Sequence, residues 1–134
     1  MKQTDTLYMS VIGGTLAGVA YLFGGVDHLV IALAIFMICD YITGIVAGWQ
    51  SQEVNSRKAL KGLAKKGAML SLVIIANQLD IIAGSDSGFM RNSMIFFLIA
   101  AEGISLIENL GKIGVDVPDF LKNRFEQIKN DKGE

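Results

Sequence analysis

Apolar positions along the chain fall into four long runs separated by short polar breaks. Leu7 to Val26 carries no charged side chain, and Leu29 to Trp49 carries one, Asp40. Gly67 to Gly84 carries only Asp80. Asn92 to Ile107 carries only Glu102, and extends to about residue 110 at the cost of Glu108. A helix needs roughly 20 mostly apolar residues to cross a bilayer core of about 30 Å. The pattern therefore predicts an all-α integral membrane protein with three to four transmembrane helices, spans near 7–26, 29–49, 67–84 and 92–110, forming a single membrane domain over 1–134. The first run is rich in small residues, so it can also lie in the interface, or act as a cleaved signal segment with Ala20 near the cut.

Between the second and third runs, Asn55 to Lys66 reads as a short helix capped by Asn55 or Ser56. Ala59, Leu60, Leu63 and Ala64 make its apolar side, and Arg57, Lys58, Lys61, Lys65 and Lys66 form a basic group suited to an anionic membrane surface. After the fourth run, residues 112–134 read as a cytoplasmic tail. Asp116 is placed to cap a helix with Pro118 and Asp119 in its first turn. Phe120, Leu121, Phe125 and Ile128 share its apolar side, which can meet the membrane surface, the basic linker or a partner chain.

Composition agrees with this pattern. The 134 residues are 51% hydrophobic and 19% charged, with one proline, and mean hydropathy is +0.45. The single cysteine, Cys39, excludes an intrachain disulfide. Net charge is −1, so charge placement is the informative quantity. Loops rich in Lys and Arg stay cytoplasmic. With four spans and the basic linker inside, both termini are cytoplasmic, and of the twelve Lys and Arg residues only Arg91 lies outside.

Each run also carries a stripe of polar or small residues, because positions three or four apart share a helix face. Gly14 and Gly18 form a close-packing motif in the first run. Asp40, Gly44 and Gly48 align in the second, beside Thr43; Asn77, Asp80 and Gly84 in the third; Glu102, Ser105 and Asn109 in the fourth. An acid at a helix centre is unfavourable by about 2.5–3.5 kcal/mol on insertion scales. Asp40 and Glu102 should therefore face other helices or water. Two roles stay open at this point: hydrogen-bonded glue between helices, or the lining of a pathway.

No catalytic set is present. The chain has one His and one Cys, and neither a phosphate-binding loop nor a nucleophile elbow. His28 falls in a short loop, and no cluster with metal-ligand spacing occurs. No cofactor is expected and the chain is not expected to be an enzyme. Nucleic acid is not an expected partner, since no soluble fold surrounds the basic group.

Three stretches together resemble the toxin-secretion and phage-lysis holin family, of the phage holin family 4 type. They are Asp40-Tyr41-Ile42-Thr43-Gly44-Ile45, Ser56 through Lys66, and Glu102 through Asn109 continuing to Gly114-Val115-Asp116-Val117-Pro118. The likeness covers about residues 29–122, with Asp116 where the family usually has Pro. It implies a protein of the bacterial cytoplasmic membrane that self-assembles and opens lesions through which a cell-wall hydrolase (endolysin) or a toxin escapes. Its partners would be the bilayer, other copies of itself and, functionally, that hydrolase or toxin. Phage lysis, toxin export and an anti-holin role are not separated by the sequence, nor are oligomer number and pore size. Met9 offers a second start, which would remove Lys2 and Asp5. A small four-helix dimeric transporter is the competing function, although such proteins use a carboxylate in the first span and none occurs here. A membrane lipid kinase would need acidic partners for Mg²⁺ that are missing beside the lysines.

Overall fold

The computed structural model describes residues 2–133. Five helices follow in order: α1 (Gln3–Leu22), α2 (His28–Gln50), α3 (Ser56–Ile82), α4 (Phe89–Ile113) and α5 (Asp119–Gly133). No strand occurs among the described residues. By length and composition, α2 and α4 are the helices apolar enough to cross a membrane.

Local chemistry sets most of the boundaries. Asp27 caps α2 by accepting from the backbone N–H of Val30 at 3.1 Å, and Asn55 caps α3 through the N–H of Lys58 at 2.8 Å. Gly114 ends α4 at φ +95°, a left-handed conformation that favours glycine. The basic linker is not a separate short helix. It forms the first three turns of α3, because nothing between Lys66 and Gly67 breaks the backbone ladder. At the tail, α5 begins at Asp119, so Asp116 lies ahead of the helix in the connecting turn and does not cap it.

α2, α3 and α4 form the bundle, with α2 and α4 its most extensive contact. Leu33 and Met37 from α2, Val73 from α3, and Ile95 and Leu98 from α4 make a buried apolar core. Ala76 and Ala100 are also buried, and their small side chains let backbones approach. The outward side of α2 is apolar along its whole length: Ile31, Ile35, Ile38, Ile42, Val46 and Trp49 are all exposed. A water-soluble monomer rarely presents so long an apolar stripe.

The two ends of the chain behave differently from this bundle. No residue of α1 is buried. α1 is held only at its C-terminal end, where Asn77 Nδ2 donates to the carbonyls of Tyr21 (3.4 Å) and Leu22 (3.1 Å). α5 folds back along α4. Phe125 sits directly on Gly103, where an added Cβ would stand 2.8 Å from the ring, and meets Phe36 of α2 edge-on with centroids 5.6 Å apart. Of the three destinations open to the tail from its sequence, none is the one observed: it docks on its own bundle.

Candidate functional site

The polar stripes of the sequence meet within one chain, and they divide between the two ends of the bundle. At the end built from the basic first turns of α3, Asp40 of α2 and Glu102 of α4 both approach Lys66 of α3. Lys66 Nζ donates to Asp40 Oδ2 at 2.7 Å and to a Glu102 carboxylate oxygen. Asn109, two turns on from Glu102, donates from Nδ2 to Asp40 Oδ1 at 2.9 Å, to the Asp40 carbonyl at 3.1 Å and to Thr43 Oγ1 at 3.3 Å. The Thr43 hydroxyl itself donates back to the Cys39 carbonyl at 2.7 Å. Gly44 lies beside Asn109, since a Cβ there would stand 3.4 Å from Asn109 Nδ2, close to ordinary van der Waals contact.

Asp40, Lys66, Glu102 and Asn109 form the floor of a cavity of about 850 Å³ between the C-terminal half of α2, the N-terminal half of α3 and the C-terminal half of α4. Gly48 and Ser105 line its walls, and Lys58, Lys65 and Lys112 stand around it. Tyr41 closes one side, its hydroxyl donating to the Ala59 carbonyl at 3.3 Å. The cavity forms a vestibule whose lining runs from the α2–α3 connection, Gln50 to Asn55, to Asp40 and Glu102.

Lys66 therefore does not belong with the surface lysines, where its sequence neighbours place it. Its ammonium reaches inward because two carboxylates buried in the bundle leave it a strong electrostatic reason to do so. Arg57, Lys58, Lys61 and Lys65 are exposed. Lys58 makes one loose contact with Glu53 at 3.7 Å.

At the opposite end, Asp80 of α3 accepts from the backbone N–H groups of Met90 (3.0 Å) and Arg91 (2.8 Å), so it caps α4 from another helix. Arg91 was the lone basic residue of its loop in the sequence. It is buried, and each of its five N–H groups has an acceptor. Nε donates to the Phe23 carbonyl at 2.5 Å; the terminal nitrogens reach both carboxylate oxygens of Asp27 (2.8 and 3.1 Å), Asn92 Oδ1 (2.9 Å) and the Gly25 carbonyl (3.1 Å). Hydrogen bonding to Arg91 holds the Asp27 carboxyl below the usual aspartate range. Gly24, at φ +72°, leaves space for this arginine, since a Cβ would come within 3.0 Å of its side chain.

Of the residues the sequence singles out, Asp40, Gly44, Gly48, Glu102, Ser105 and Asn109 line the vestibule, Thr43 joins it only through its bond with Asn109, and Asn77 and Asp80 lie at the far end. Sequence reasoning missed Lys66 and Arg91 as partners. The available signal was electrostatic: buried acids call for the nearest base bordering each run. Gly14 and Gly18 have no atom within 4 Å of where a Cβ would stand, so no helix of the same chain packs on that motif. Among the described residues no group of three or more His, Cys, Asp or Glu is placed to hold a metal ion.

Comparison with known proteins follows the same lines. Residues 17–130 match the bacteriophage holin family. A probable holin of Bacillus phage phi105 is 38% identical over 112 residues, covering 84% of this chain and 82% of that protein. An uncharacterised protein of Listeria monocytogenes is 47% identical over 103 residues, covering 77% and 73%. A 14.9 kDa protein from the nagH 3′ region of Clostridium perfringens is 36% identical over 112 residues, covering 84% and 85%. No solved structure matches. The chain belongs to the bacteriophage holin family.

Proposed function

We propose that this protein inserts in the bacterial cytoplasmic membrane with the basic end of the bundle facing the cytoplasm, assembles with copies of itself, and opens lesions that release a cell-wall hydrolase or a toxin. The observation that carries this reading is the vestibule with Lys66 bridging Asp40 and Glu102 at its floor. In lipid, apolar packing between helices gains nothing from the hydrophobic effect, so polar contacts weigh more heavily in deciding which helices stay together. Here one lysine serves two carboxylates on different helices. Water entering from the vestibule competes for those same groups. The paired, closed bundle and a hydrated, open arrangement then differ by little, and a change of membrane potential acts on the charges that move, at about 2.3 kcal/mol per charge per 100 mV.

Orientation follows from the basic side chains, of which only Arg91 lies at the far end. α1 supplies a further crossing, joined to the bundle at its last turn alone. Its Gly14 and Gly18 face is then free for a neighbouring copy. α5 is a detachable element: its exposed Lys122, Arg124, Glu126 and Lys129 do not suit acyl chains, so full insertion of α4 releases the Phe125 contact.

Inducible expression in a bacterium, with and without a co-expressed cytoplasmic murein hydrolase, tests the function. Abrupt death at a set time, with lysis only when the hydrolase is present, is expected. Proton-coupled substrate uptake in vesicles without leakage of large solutes would overturn it in favour of a small transporter. Asp40→Leu is expected to shift the time of lysis; unchanged timing and assembly would remove Asp40 from the mechanism.

A further inference from the structure

The apolar surfaces of α2 and α3 differ in length although the two helices meet at the end where they are joined. On α2 the apolar stretch runs from Leu29 to Trp49, about 30 Å at 1.5 Å rise per residue. This matches a bilayer core of about 30 Å. On α3 it runs only from Gly67 to Ile82, about 23 Å. The register between them is fixed by contacts. Tyr41 bonds the Ala59 carbonyl at 3.3 Å and its ring lies alongside Gly62, while Val54 packs against Gly48. The last apolar turns of α2 are therefore level with the basic turns of α3.

The consequence is geometric. With Trp49, 76% exposed, at the membrane interface where tryptophan is favoured, Lys61 lies near the level of Tyr41. That is about 12 Å deeper along the helix axis. A lysine stem reaches about 6 Å from its Cα, so bending the side chain toward the surface covers roughly half of the gap. Arg57, Lys61 and Lys65 have no ion-pair partner among the described residues, and all are exposed. The remaining gap closes only if lipid headgroups come to the cations. A short apolar span is accommodated by thinning of the bilayer together with such bending.

We propose that the flank of α3 from Arg57 to Lys65 is a binding surface for anionic phospholipid headgroups, which it draws inward so that the bilayer is thinned along one side of the protein. The inference rests on the membrane-inserted reading above but not on lesion formation. Charge selects the partner: four cations face outward with Glu53 their one nearby acid contact, and Lys58 and Lys65 also border the vestibule. Phosphates gathered there bring hydration to the mouth of the cavity whose floor holds Lys66. The apolar flank of α2 keeps a bilayer of ordinary thickness, so the deformation is one-sided.

The test uses the full chain reconstituted into oriented bilayer stacks, with the phosphate-to-phosphate spacing read by lamellar diffraction. One set of stacks is pure phosphatidylcholine and the other contains added phosphatidylglycerol. The spacing is expected to fall by a few ångströms as protein is added, and to fall further in the anionic lipid. A spacing unchanged by protein, or one that falls equally in both lipids, overturns the proposal. This comparison needs only the natural chain. A combined K58Q/K61Q/K65Q variant is expected to lose the anionic preference, and K58R/K61R/K65R to keep it; loss in both overturns a charge-based mechanism. Release of a trapped fluorescent dextran from vesicles is measured in parallel. Leakage without thinning refutes this inference alone, and thinning without leakage supports it while refuting the lesion-forming role.

Discussion

The two polar ends of the bundle are built from the same materials and behave in opposite ways. At one end Arg91 is saturated: every N–H has an acceptor, two of them backbone carbonyls in the turn after α1, and Asp80 is used up in capping α4. At the other end Lys66 is shared between two carboxylates and faces a cavity of about 850 Å³. Backbone acceptors cannot leave without unfolding a turn, whereas side-chain acceptors need only rotate. One end is thus tied partly through backbone acceptors, whereas the buried cation at the other end is held by side-chain carboxylates alone.

The sharpest way to break this contrast is Arg91→Ala. It strands the carbonyls of Phe23 and Gly25 and removes the partner of Asp27, and it should cost about 3–5 kcal/mol, the range for breaking a buried charged pair. Unfolding in detergent followed by circular dichroism should show it, with poor accumulation in cells. Lys66→Met should cost less, about 2 kcal/mol, because the site borders the vestibule and is partly screened. Its larger consequence should be earlier lysis on induction. Adding Asp40→Asn and Glu102→Gln to it should recover stability, and failure to recover would show that the pairing is not what holds that end.

Gly103→Leu should be milder, about 1 kcal/mol, since it displaces the Phe125 ring and little else. Faster proteolysis of α5 with an intact bundle is the expected result. The smallest effect concerns pH. The Asp27 carboxyl is lowered in the folded protein, so its contribution is present above its unfolded value, near 3.8, and is lost as pH falls through the folded value. Asp27→Asn should abolish that acid sensitivity at the Arg91 end, measured as unfolding in detergent between about pH 5 and pH 2.

Much of this was legible before the structure. The start of α3 at Asn55 follows from cap chemistry, and the polar stripes on α2 and α4 follow from 3.6-residue periodicity. Asp40 and Glu102 stand out because a carboxylate is costly among acyl chains, and Asn109 because it shares a helix face with Glu102. Lys66 was grouped with its neighbours because sequence proximity says nothing about which way a long side chain turns. The tail gave a sound amphipathic pattern and no docking partner, since a ring-sized seat at Gly103 exists only once α4 and Phe36 are in place.

The sequence by itself determined the all-helical class, the four apolar runs, the cluster of cations before the third run, and the presence of acids within apolar runs that need partners. These are properties of single segments, set by local backbone energetics and by the cost of charge in an apolar medium. Only the tertiary structure decided which acid meets which base, that the polar stripes turn toward each other within one chain, and that the basic turns of α3 lie beside apolar turns of α2. Those depend on the relative register of helices, which is fixed by contacts such as Tyr41 with Ala59 and Phe125 on Gly103 that no single segment contains.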